Sequence, residues 1–443
     1  MRRLGRALPA AALIALAGCG AQTKNNDPAP LPASAGAALY SARVQVPSGM
    51  GGAPFDRTRS LQIPRGWTVS VWARISGARL MVQTPDARLL VSRPSSGDIQ
   101  VLTPRSGRAT PSKRTLVSGL RLPHGMAFRG STLYVAESNR IDTFQYSDGK
   151  VSTRRTIISG LPDSKSPELG GAYAHALKSV VVAKDGTVYV SVGSTGNISA
   201  NDRTASPQRA TILRWSPTTR KVSVFARGVR NGTGLALDPG GALWTAVNNR
   251  DQMPYPYHRD YGGDGRSDYG KVMQSYVNDH PMELLAKLTA GRDLGWPYCD
   301  PEPDTKPGVK GSPLAYTDRP YVRDVDTNPT GAKLNCATLP RLENGFPAHS
   351  APLGMTFATL PGTGGTGAIV ATHGSWNRTP PRAPSVSFFP WSNGRLGANK
   401  LLVSGFQLAD GSRWGRPVAA VTGTKALYVS DDLAGAIYKL TPG

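Results

Sequence analysis

Side chains that can bind anions or move protons recur at one kind of position in this sequence, a few residues before short apolar runs. The positions are occupied by Arg79, His124, His175, Arg230 with Asn231, His349 and Arg416. Histidine exchanges protons near neutral pH, and arginine binds carboxylates through paired N–H donors. Because these positions contain almost no carboxylate and buried like charges require a counter-ion, the set predicts a pocket for a multiply anionic ligand. The alternative is that these side chains only join neighbouring repeats.

The apolar runs that follow these residues predict strands. They are rich in β-branched and aromatic residues, they are bounded by Gly and Asp, and all but one gap between them measures roughly 45 to 60 residues. The runs lie at 87–92, 131–136, 186–191, 241–246, 367–372 and 425–430. This spacing predicts an all-β six-bladed β-propeller with four-stranded antiparallel blades around a central site. A long loop insertion separates the fourth and fifth repeats, and 281–288 within it is predicted to be helical.

The chain is predicted to divide into three parts. Residues 1–19 form a lipoprotein signal peptide, in which a short apolar run ends in a lipobox at Cys19; ordinary signal-peptidase cleavage nearby is the alternative. Residues 20–52, rich in Ala, Pro, Ser and Gly, form a flexible tether. Residues 53–443 form the propeller catalytic domain, with 252–343 as its loop-rich insertion.

Charge and cysteine content narrow the function further. The formal net charge is +23, but the cations are scattered, so we predict no nucleic-acid partner and allow for a small anionic cofactor. Once Cys19 is assigned to lipid, Cys299 and Cys336 remain. An even pair in an exported chain predicts a disulfide, and two unpaired buried thiols are the alternative.

Several motifs in a fixed order carry a family resemblance over 63–440. They are HALKSVVVAKDGTVYVSVGSTGN, ARGVRNGTGLALDPGGALWTAVNNRD, GWPYC, HSAPLGM, HGSWNR, and GRPVAAV followed by LYVSDDLAGAIYKL. The sequence resembles the soluble glucose/sorbosone dehydrogenases, six-bladed propellers that use pyrroloquinoline quinone (PQQ) and Ca²⁺. The resemblance implies oxidation of aldose sugars or sugar aldehydes at the anomeric carbon, with hydride transfer to the quinone and an external electron acceptor, a quinone or a cytochrome. With the lipobox, it implies an exported enzyme that a lipid anchor holds at the membrane of the bacterial envelope, on its periplasmic or extracellular face.

The resemblance also implies roles for individual residues. His175 matches the general base, and Arg230 matches the arginine that stabilises negative charge developing on the quinone oxygen. The resemblance implies that Asn231, Arg416 and Arg378 bind the cofactor. Arg79 and His124 are added to this set only because they lie at the same offset before an apolar run.

Calcium is implied at the segment that follows the fourth run. Asn249 and Arg250 would bind it through their carbonyl oxygens, with Asp251 beside them. One departure from relatives concerns the base, because Ser194 stands where some of them carry the aspartate that orients the histidine. The group that orients His175 is therefore not identified by the sequence. A second candidate for calcium binding is the acidic loop 260–271, which has some features of a calcium loop but is better interpreted as a solvated turn.

Two other functions fit the same fold. A calcium-dependent lactonase would need Glu, Asn and Asp around an axial metal, whereas the offset positions here are mainly cationic. A non-catalytic propeller that binds sugars or a protein partner is the second alternative. The insertion carries Tyr255, Tyr257, Tyr261, Trp296, Tyr298 and Tyr321, which would either stack on a sugar or pack the insertion itself.

Overall fold

The computed structural model describes residues 39–362 and 365–443, and nearly all regular structure in them is β. Strands form where β-branched and aromatic residues alternate between turns, as in the VYVSV segment Val188–Val192. The strands are β1 (Leu39–Arg43), β2 (Ser60–Pro64), β3 (Trp67–Arg74), β4 (Met81–Gln83), β5 (Leu89–Arg93), β6 (Asp98–Thr103), β7 (Ser112–Val117), β8 (Met126–Arg129), β9 (Thr132–Ala136), β10 (Ile141–Ser147), β11 (Lys150–Ile158), β12 (Ser179–Val182), β13 (Val188–Val192), β14 (Thr211–Trp215), β15 (Val222–Arg227), β16 (Gly234–Leu237), β17 (Leu243–Val247), β18 (Glu283–Leu288), β19 (Cys299–Pro301), β20 (Tyr321–Arg323), β21 (Asn344–Phe346), β22 (Pro352–Thr359), β23 (Thr366–Thr372), β24 (Ser385–Ser392), β25 (Arg395–Leu396), β26 (Lys400–Val403), β27 (Pro417–Thr422), β28 (Leu427–Asp431) and β29 (Ala436–Pro442). The described residues contain one short α-helix, α1 (Gln274–Val277).

Six antiparallel sheets form the blades of a propeller. Their strand orders are β4-β5-β6-β7, β8-β9-β10-β11, β12-β13-β14-β15, β16-β17-β18-β21, β22-β23-β24 with β25 and β26 both paired to β24, and β27-β28-β29-β3. The first strands of the blades, β4, β8, β12, β16, β22 and β27, contact one another in a closed ring. They surround an axial channel of about 460 Å³ lined largely by apolar residues such as Leu80, Val182 and Leu237. The predicted fold class, an all-β six-bladed propeller, is confirmed.

The ring closes by pairing the two ends of the domain. Strand β3, near the start, forms the outer strand of the last blade beside β29, with Val71 opposite Tyr438. Most of the core lies between adjacent sheets: between the fourth and fifth blades, Trp244, Phe346 and Phe389 are all buried. Burying large apolar side chains contributes about 1.5–3 kcal/mol each, so every blade is stabilised by both of its neighbours.

For residues 39–52 the predicted flexible tether is wrong. Strand β1 pairs with β2 over its whole length, and Val44 is buried in the core beneath the last blade. Backbone pairing and the few apolar side chains of this segment hold it on the domain despite its polar composition. The predicted signal peptide, its lipobox Cys19 and the remainder of the tether lie outside the described residues.

The predicted helix at 281–288 is also wrong, because Glu283–Leu288 is strand β18, between β17 and β21. Leu284 and Leu285 point to opposite faces and both are buried, so the segment lacks the alternation that identifies a half-exposed strand. The predicted insertion 252–343 therefore contains a blade strand, with one irregular segment on each side of it.

A disulfide joins Cys299 at the start of β19 to Cys336, as predicted. It links two parts of the second irregular segment, and Cys299 and Cys336 are both buried. In the part of the chain that the structure describes, no helix has the length and apolar character needed to cross a membrane.

Candidate active site

Blade geometry brings two sets of residues to one end of the axial channel. The first strand of each blade begins at this end, and the antiparallel second strand finishes there. The predicted positions Arg79, His124, His175, Arg230, His349 and Arg416 each lie just before a first strand. Residues that follow the second strands lie at the same end and complete the site.

A cleft of about 540 Å³ opens at this end between the first and last blades, and Arg79, Arg416, His373 and Asp432 line it. Asp432 accepts from Arg79 at 2.7 Å and contacts His373 Nε2 at 2.8 Å. The expectation of a pocket with almost no carboxylate is therefore wrong here, because Asp432 follows a second strand. The pKa of Asp432 is lowered to about 2, because burial is outweighed by the hydrogen bond from His373 and the Arg79 cation.

Arg416 is a cation of this cleft whose side-chain hydrogen bonds, in the part of the chain that the structure describes, all go to backbone carbonyls. Its Nε donates to the His373 carbonyl at 2.9 Å and its second terminal nitrogen to the Gly374 carbonyl at 3.4 Å. Among the described residues no carboxylate forms an ion pair with Arg416. The buried Nε of Arg79 likewise has no hydrogen-bond partner among them. An anionic ligand fits these donors.

His175 is held by the residue that follows strand β13. Its Nδ1 lies 3.1 Å from the Ser194 carbonyl and 2.9 Å from Ser194 Oγ, while Ser194 Oγ itself donates to Gly196 O at 2.7 Å. Two acceptors at Nδ1 fix the proton on that nitrogen and leave the Nε2 lone pair free. Burial, followed by the Arg230 cation, lowers the pKa of His175 to about 3, so the imidazole is neutral at ordinary pH.

Arg230 is a buried cation with no close counter-ion. It donates to the Asn197 carbonyl at 3.0 Å, to the Asn248 carbonyl at 3.1 Å and to Asn197 Oδ1 at 3.1 Å. The oxygen of Asp251 is 3.9 Å away. Burial lowers the pKa of Arg230 to about 10, which still leaves it charged at neutral pH.

Gly193 allows His175 and Asn231 to lie together. A Cβ at position 193 would stand 2.5 Å from His175 Cβ and 3.5 Å from Asn231 Oδ1. Any other residue there would displace the histidine. The neutral imidazole, the Asn231 amide and the Arg230 cation consequently form one group on the third and fourth blades.

The segment predicted to bind calcium presents free oxygens. The carbonyls of Asn249 and Arg250 accept no hydrogen bond from the described residues. Asp251 is held through its backbone by Asn197, whereas its carboxylate has no partner closer than 3.5 Å, the distance to both His349 Nδ1 and Asn377 Nδ2. The Arg250 side chain is engaged elsewhere, in ion pairs with Asp324 and Asp326. Carbonyl and carboxylate oxygens are the ligands that a hard cation requires.

Two predicted cofactor residues lie away from the cleft. His124 is fully buried with Nδ1 3.2 Å from the Lys178 carbonyl, and burial lowers its pKa to about 3. Arg378 donates to the Pro380 carbonyl at 2.6 Å and lies 3.9 Å from Asp279. Neither lines the cleft that contains Arg79 and Arg416.

Tyrosines of the insertion pack against one another, whereas Trp296 contacts a residue of the candidate site. Tyr255, Tyr261 and Tyr276 belong to one buried cluster, and Trp296, 2% exposed, donates from Nε1 to the Asn197 carbonyl at 3.3 Å. The aromatic ring that is available is Trp376, 72% exposed and next to Asn377, which contacts Asp251. In the acidic loop 260–271, Asp260 accepts from the backbone of its own loop, and the buried Asp268 pairs with Lys271.

Three residues that follow second strands, Asn197, His373 and Asp432, were not predicted from the sequence. Asn197 connects Arg230 to Asp251, while His373 and Asp432 complete the cleft. Their signal was present in the motifs GSTGN, HGSWNR and SDDLAG, each of which ends a β-patterned run.

Comparison with known proteins agrees with this architecture. The sequence model described as TrAA12-like matches residues 61–442. A PQQ-dependent pyranose dehydrogenase of Coprinopsis cinerea is 24% identical over 377 residues, which cover 74% of this chain and 47% of that protein. The chain thus spans about half the length of that curated relative. An uncharacterised protein of Borreliella burgdorferi is 23% identical over 401 residues, covering 86% of this chain and 91% of that protein.

Solved structures of the same shape include the holo form of the PQQ domain of the Coprinopsis cinerea pyranose dehydrogenase. It superposes with a TM-score of 0.69 at 21% identity, covering 86% of this chain and 97% of that domain. A calcium structure of a Trichoderma reesei family AA12 enzyme gives a TM-score of 0.68 at 20% identity, covering 86% of this chain and 96% of that one. At these identities the likeness establishes the fold.

Proposed function

Because this chain belongs to the TrAA12-like family, we propose that it is a PQQ-dependent oxidoreductase that oxidises aldose sugars or sugar aldehydes at the anomeric carbon. The observation that carries the proposal is the combination of a neutral, oriented His175 with two cations, the buried Arg230 and the half-buried Arg416, that lack close counter-ions among the described residues. A curated relative described as a PQQ-dependent pyranose dehydrogenase supports the same chemistry.

The donors around the cleft fit a cofactor that is a tricarboxylate. Arg416 has no carboxylate partner among the described residues, and the Nε of Arg79, whose terminal nitrogen pairs with Asp432, has no hydrogen-bond partner among them either. Charge-assisted hydrogen bonds from guanidinium groups to carboxylates are among the strongest in proteins. We propose that Arg416, Arg79 and Asn231 hold PQQ, which supplies a hydride acceptor when bound. Arg378 and His124 would act only indirectly, through the packing of their loops.

His175 is proposed as the base. With its proton fixed on Nδ1 by Ser194, its Nε2 can accept the proton of the sugar hydroxyl while the hydride leaves the anomeric carbon. Arg230, buried and short of a counter-ion, would stabilise the negative charge that develops during this transfer.

A calcium ion is proposed at Asn249, Arg250 and Asp251. Two carbonyl oxygens without donors and a carboxylate without a close partner fit a hard cation. When bound it would increase the electrophilicity of the cofactor. The Asn197 side chain would set the position of Asp251 in the site.

The disulfide supports an oxidising compartment, so we propose that the protein is exported and that Cys19 carries the lipid anchor. The electrons would then pass to an acceptor outside the cytoplasm, a quinone or a cytochrome.

Reconstitution tests the proposal. Purified protein mixed with PQQ and Ca²⁺ should reduce a dye when an aldose is added and should be inactive without PQQ. Hydrolysis of lactones in the absence of PQQ, or binding of sugars without turnover, would contradict it.

Replacing the base provides the sharper test. His175→Ala should lower kcat by about 10²–10⁴-fold, the usual contribution of a general base, while PQQ titration gives an unchanged Kd. Ser194→Ala is the matched control: it removes one of two acceptors at Nδ1 and should cost far less. Near-normal turnover in His175→Ala would exclude this residue as the base.

A further inference from the structure

A second buried polar cluster lies in the insertion, away from the candidate active site. His280 Nε2 is 3.3 Å from Glu302 Oε1 and 3.4 Å from Asp304 Oδ2. All three residues are at most 2% exposed, and their ligand atoms lie within 4.8 Å of one another. His280 Nε2 and Asp304 Oδ2 have no hydrogen-bond partner among the described residues. A buried imidazole nitrogen and a buried carboxylate oxygen with no partner point to an additional ligand.

The surroundings prepare these side chains as metal ligands. The His280 Nδ1–H donates to the Tyr276 carbonyl at 2.9 Å, which fixes the tautomer and leaves the Nε2 lone pair facing the carboxylates. Tyr257 donates to Glu302 Oε2 at 2.5 Å, and the Asp304 N–H donates to Glu302 Oε1 at 2.8 Å. The Tyr276 ring stacks on His280 at 3.8 Å. Outer contacts of this kind orient the ligands of known metal sites.

Spacing and charge favour a zinc-like ion over calcium. Ligands in a tetrahedral site with bonds of about 2.0–2.1 Å lie about 3.3–3.4 Å apart, which matches both measured distances from Nε2. Calcium prefers about six to eight oxygens, and only two carboxylates are available here. A divalent cation would also neutralise the carboxylates of Glu302 and Asp304, which are both buried.

We propose that His280, Glu302 and Asp304 bind one divalent transition-metal ion, with zinc as the best match and a fourth ligand supplied by water or a second carboxylate oxygen. The site is structural. It ties the segment before β18 to the segment after β19, close to the disulfide at Cys299.

The position of the ion gives it an effect on the candidate active site. His280 follows α1, and the Val277 carbonyl at the end of α1 contacts His349 Nε2 at 2.6 Å. Nδ1 of His349 faces Asp251 at 3.5 Å. Asn278 also contacts the loop after β23 through Thr379, with the Thr379 N–H donating to its side chain at 3.0 Å. Fixing His280 would therefore hold the segment that supports Asp251.

Metal analysis of the full chain tests the proposal independently of any sugar oxidation. Protein purified without chelators should contain about one zinc ion per chain by elemental mass spectrometry. After stripping with a strong chelator, added Zn²⁺ should raise Tm, because the ion binds the folded state only. Substitution with Co²⁺ should give the visible absorption of a tetrahedral site, a readout that needs no variant.

Conservative variants locate the ion. Glu302→Gln and His280→Gln should reduce the zinc content at least tenfold and abolish the Zn²⁺-dependent shift in Tm. His258→Gln removes an exposed histidine of the same insertion, stacked on Tyr269, and should retain the metal. Asp251→Asn should also retain it, which separates this site from the proposed calcium site.

The alternative occupant of the cluster is a proton. Burial alone would lower the pKa of His280, but the two carboxylates outweigh it and raise the pKa to about 10. Folded wild-type protein with no zinc and no cobalt spectrum would identify the cluster as an ion pair and overturn the proposal. Unchanged zinc content in Glu302→Gln would do the same.

Discussion

At the scale of single residues, the proposed base, His175, is oriented by oxygens of Ser194 that the sequence motif did not identify. Some relatives carry an aspartate where this chain has Ser194, so the sequence left the orienting group open. The structure places the Ser194 carbonyl and hydroxyl oxygens within 3.1 Å of His175 Nδ1. A backbone carbonyl is present at every residue and leaves no trace in residue type, so its role depends on geometry that only the fold supplies.

The surroundings of His175 have a measurable effect on its pKa. Burial and the Arg230 cation lower its pKa to about 3, whereas an exposed histidine titrates near 6.5. Between these two values the unfolded chain binds a proton that the folded chain does not, so His175 weakens folding as pH falls. The apo-protein should show a His175 imidazole that stays neutral well below pH 6 in an NMR titration.

Arg230→Gln is the control for this titration, since removing the cation should move the pKa of His175 upward. A His175 pKa near 6.5 in the wild-type apo-protein would show that the imidazole is more solvated than its burial implies. It would also place the acid limb of kcat/KM in the range of an ordinary histidine.

Only some of the charged residues around the candidate site could be predicted from the sequence. The arginines and histidines before the first strands stand out because they share one offset. Asp432 and Asp251 follow second strands, where the loops differ in length from blade to blade, so no shared offset reveals them, and Asp251 is indicated only by the family resemblance. The expectation of a carboxylate-poor pocket failed for this reason, although Arg416 does lack a carboxylate partner in the described part of the chain.

At the scale of elements, prediction succeeded for strands whose sequence has a two-residue period and failed for a strand without one. Strand β13 reads VYVSV, with valine at every second position, although only Tyr189 in it is partly exposed, whereas β18 presents the run ELLAKL with Leu284, Leu285 and Leu288 all buried. The run lacks the two-residue period of a strand, and leucines at 284, 285 and 288 have a spacing that also fits one face of a helix, so the segment is predicted to be helical. The blade is completed by β21, which returns more than fifty residues later.

The disulfide should stabilise this irregular return. Cys299 and Cys336 are separated by 37 residues, and closing a loop of that length in the unfolded chain corresponds to about 4 kcal/mol. Replacing both cysteines by serine should lower the free energy of unfolding by up to that amount in urea titrations. Cys19→Ser is the matched control and should leave the stability of the domain unchanged. An equal loss in Cys19→Ser, or no loss in the double variant, would contradict this role.

At the scale of the whole molecule, the repeat predicted the ring but not how it closes. Six similar runs imply six blades, yet the strand that completes the last blade comes from the start of the domain, where β3 pairs with β29. Closure by distant strands is a long-range pairing that no local pattern contains. The same limit explains why β1 was mistaken for tether: its partner, β2, follows a loop of sixteen residues, 44–59.

The last prediction concerns the net charge of the whole chain and its effect on the rate of cofactor association. The full chain has a formal net charge of +23, and Arg416 in the cleft has no carboxylate partner among the described residues, so an anionic cofactor should be steered toward the cleft. The screening length falls from about 30 Å in 0.01 M salt to about 3 Å in 1 M salt. The association rate of PQQ in stopped flow should therefore fall by about tenfold or more over this range, as steered encounters do. The KM of the loaded enzyme for a neutral sugar should not change, since the sugar carries no charge for the field to act on. Arg416→Ala changes only one of many charges, so it should raise the dissociation rate of PQQ while leaving most of the salt dependence in place. A rate of association that is independent of salt would mean that local contacts in the cleft, and not the field of the molecule, govern cofactor capture.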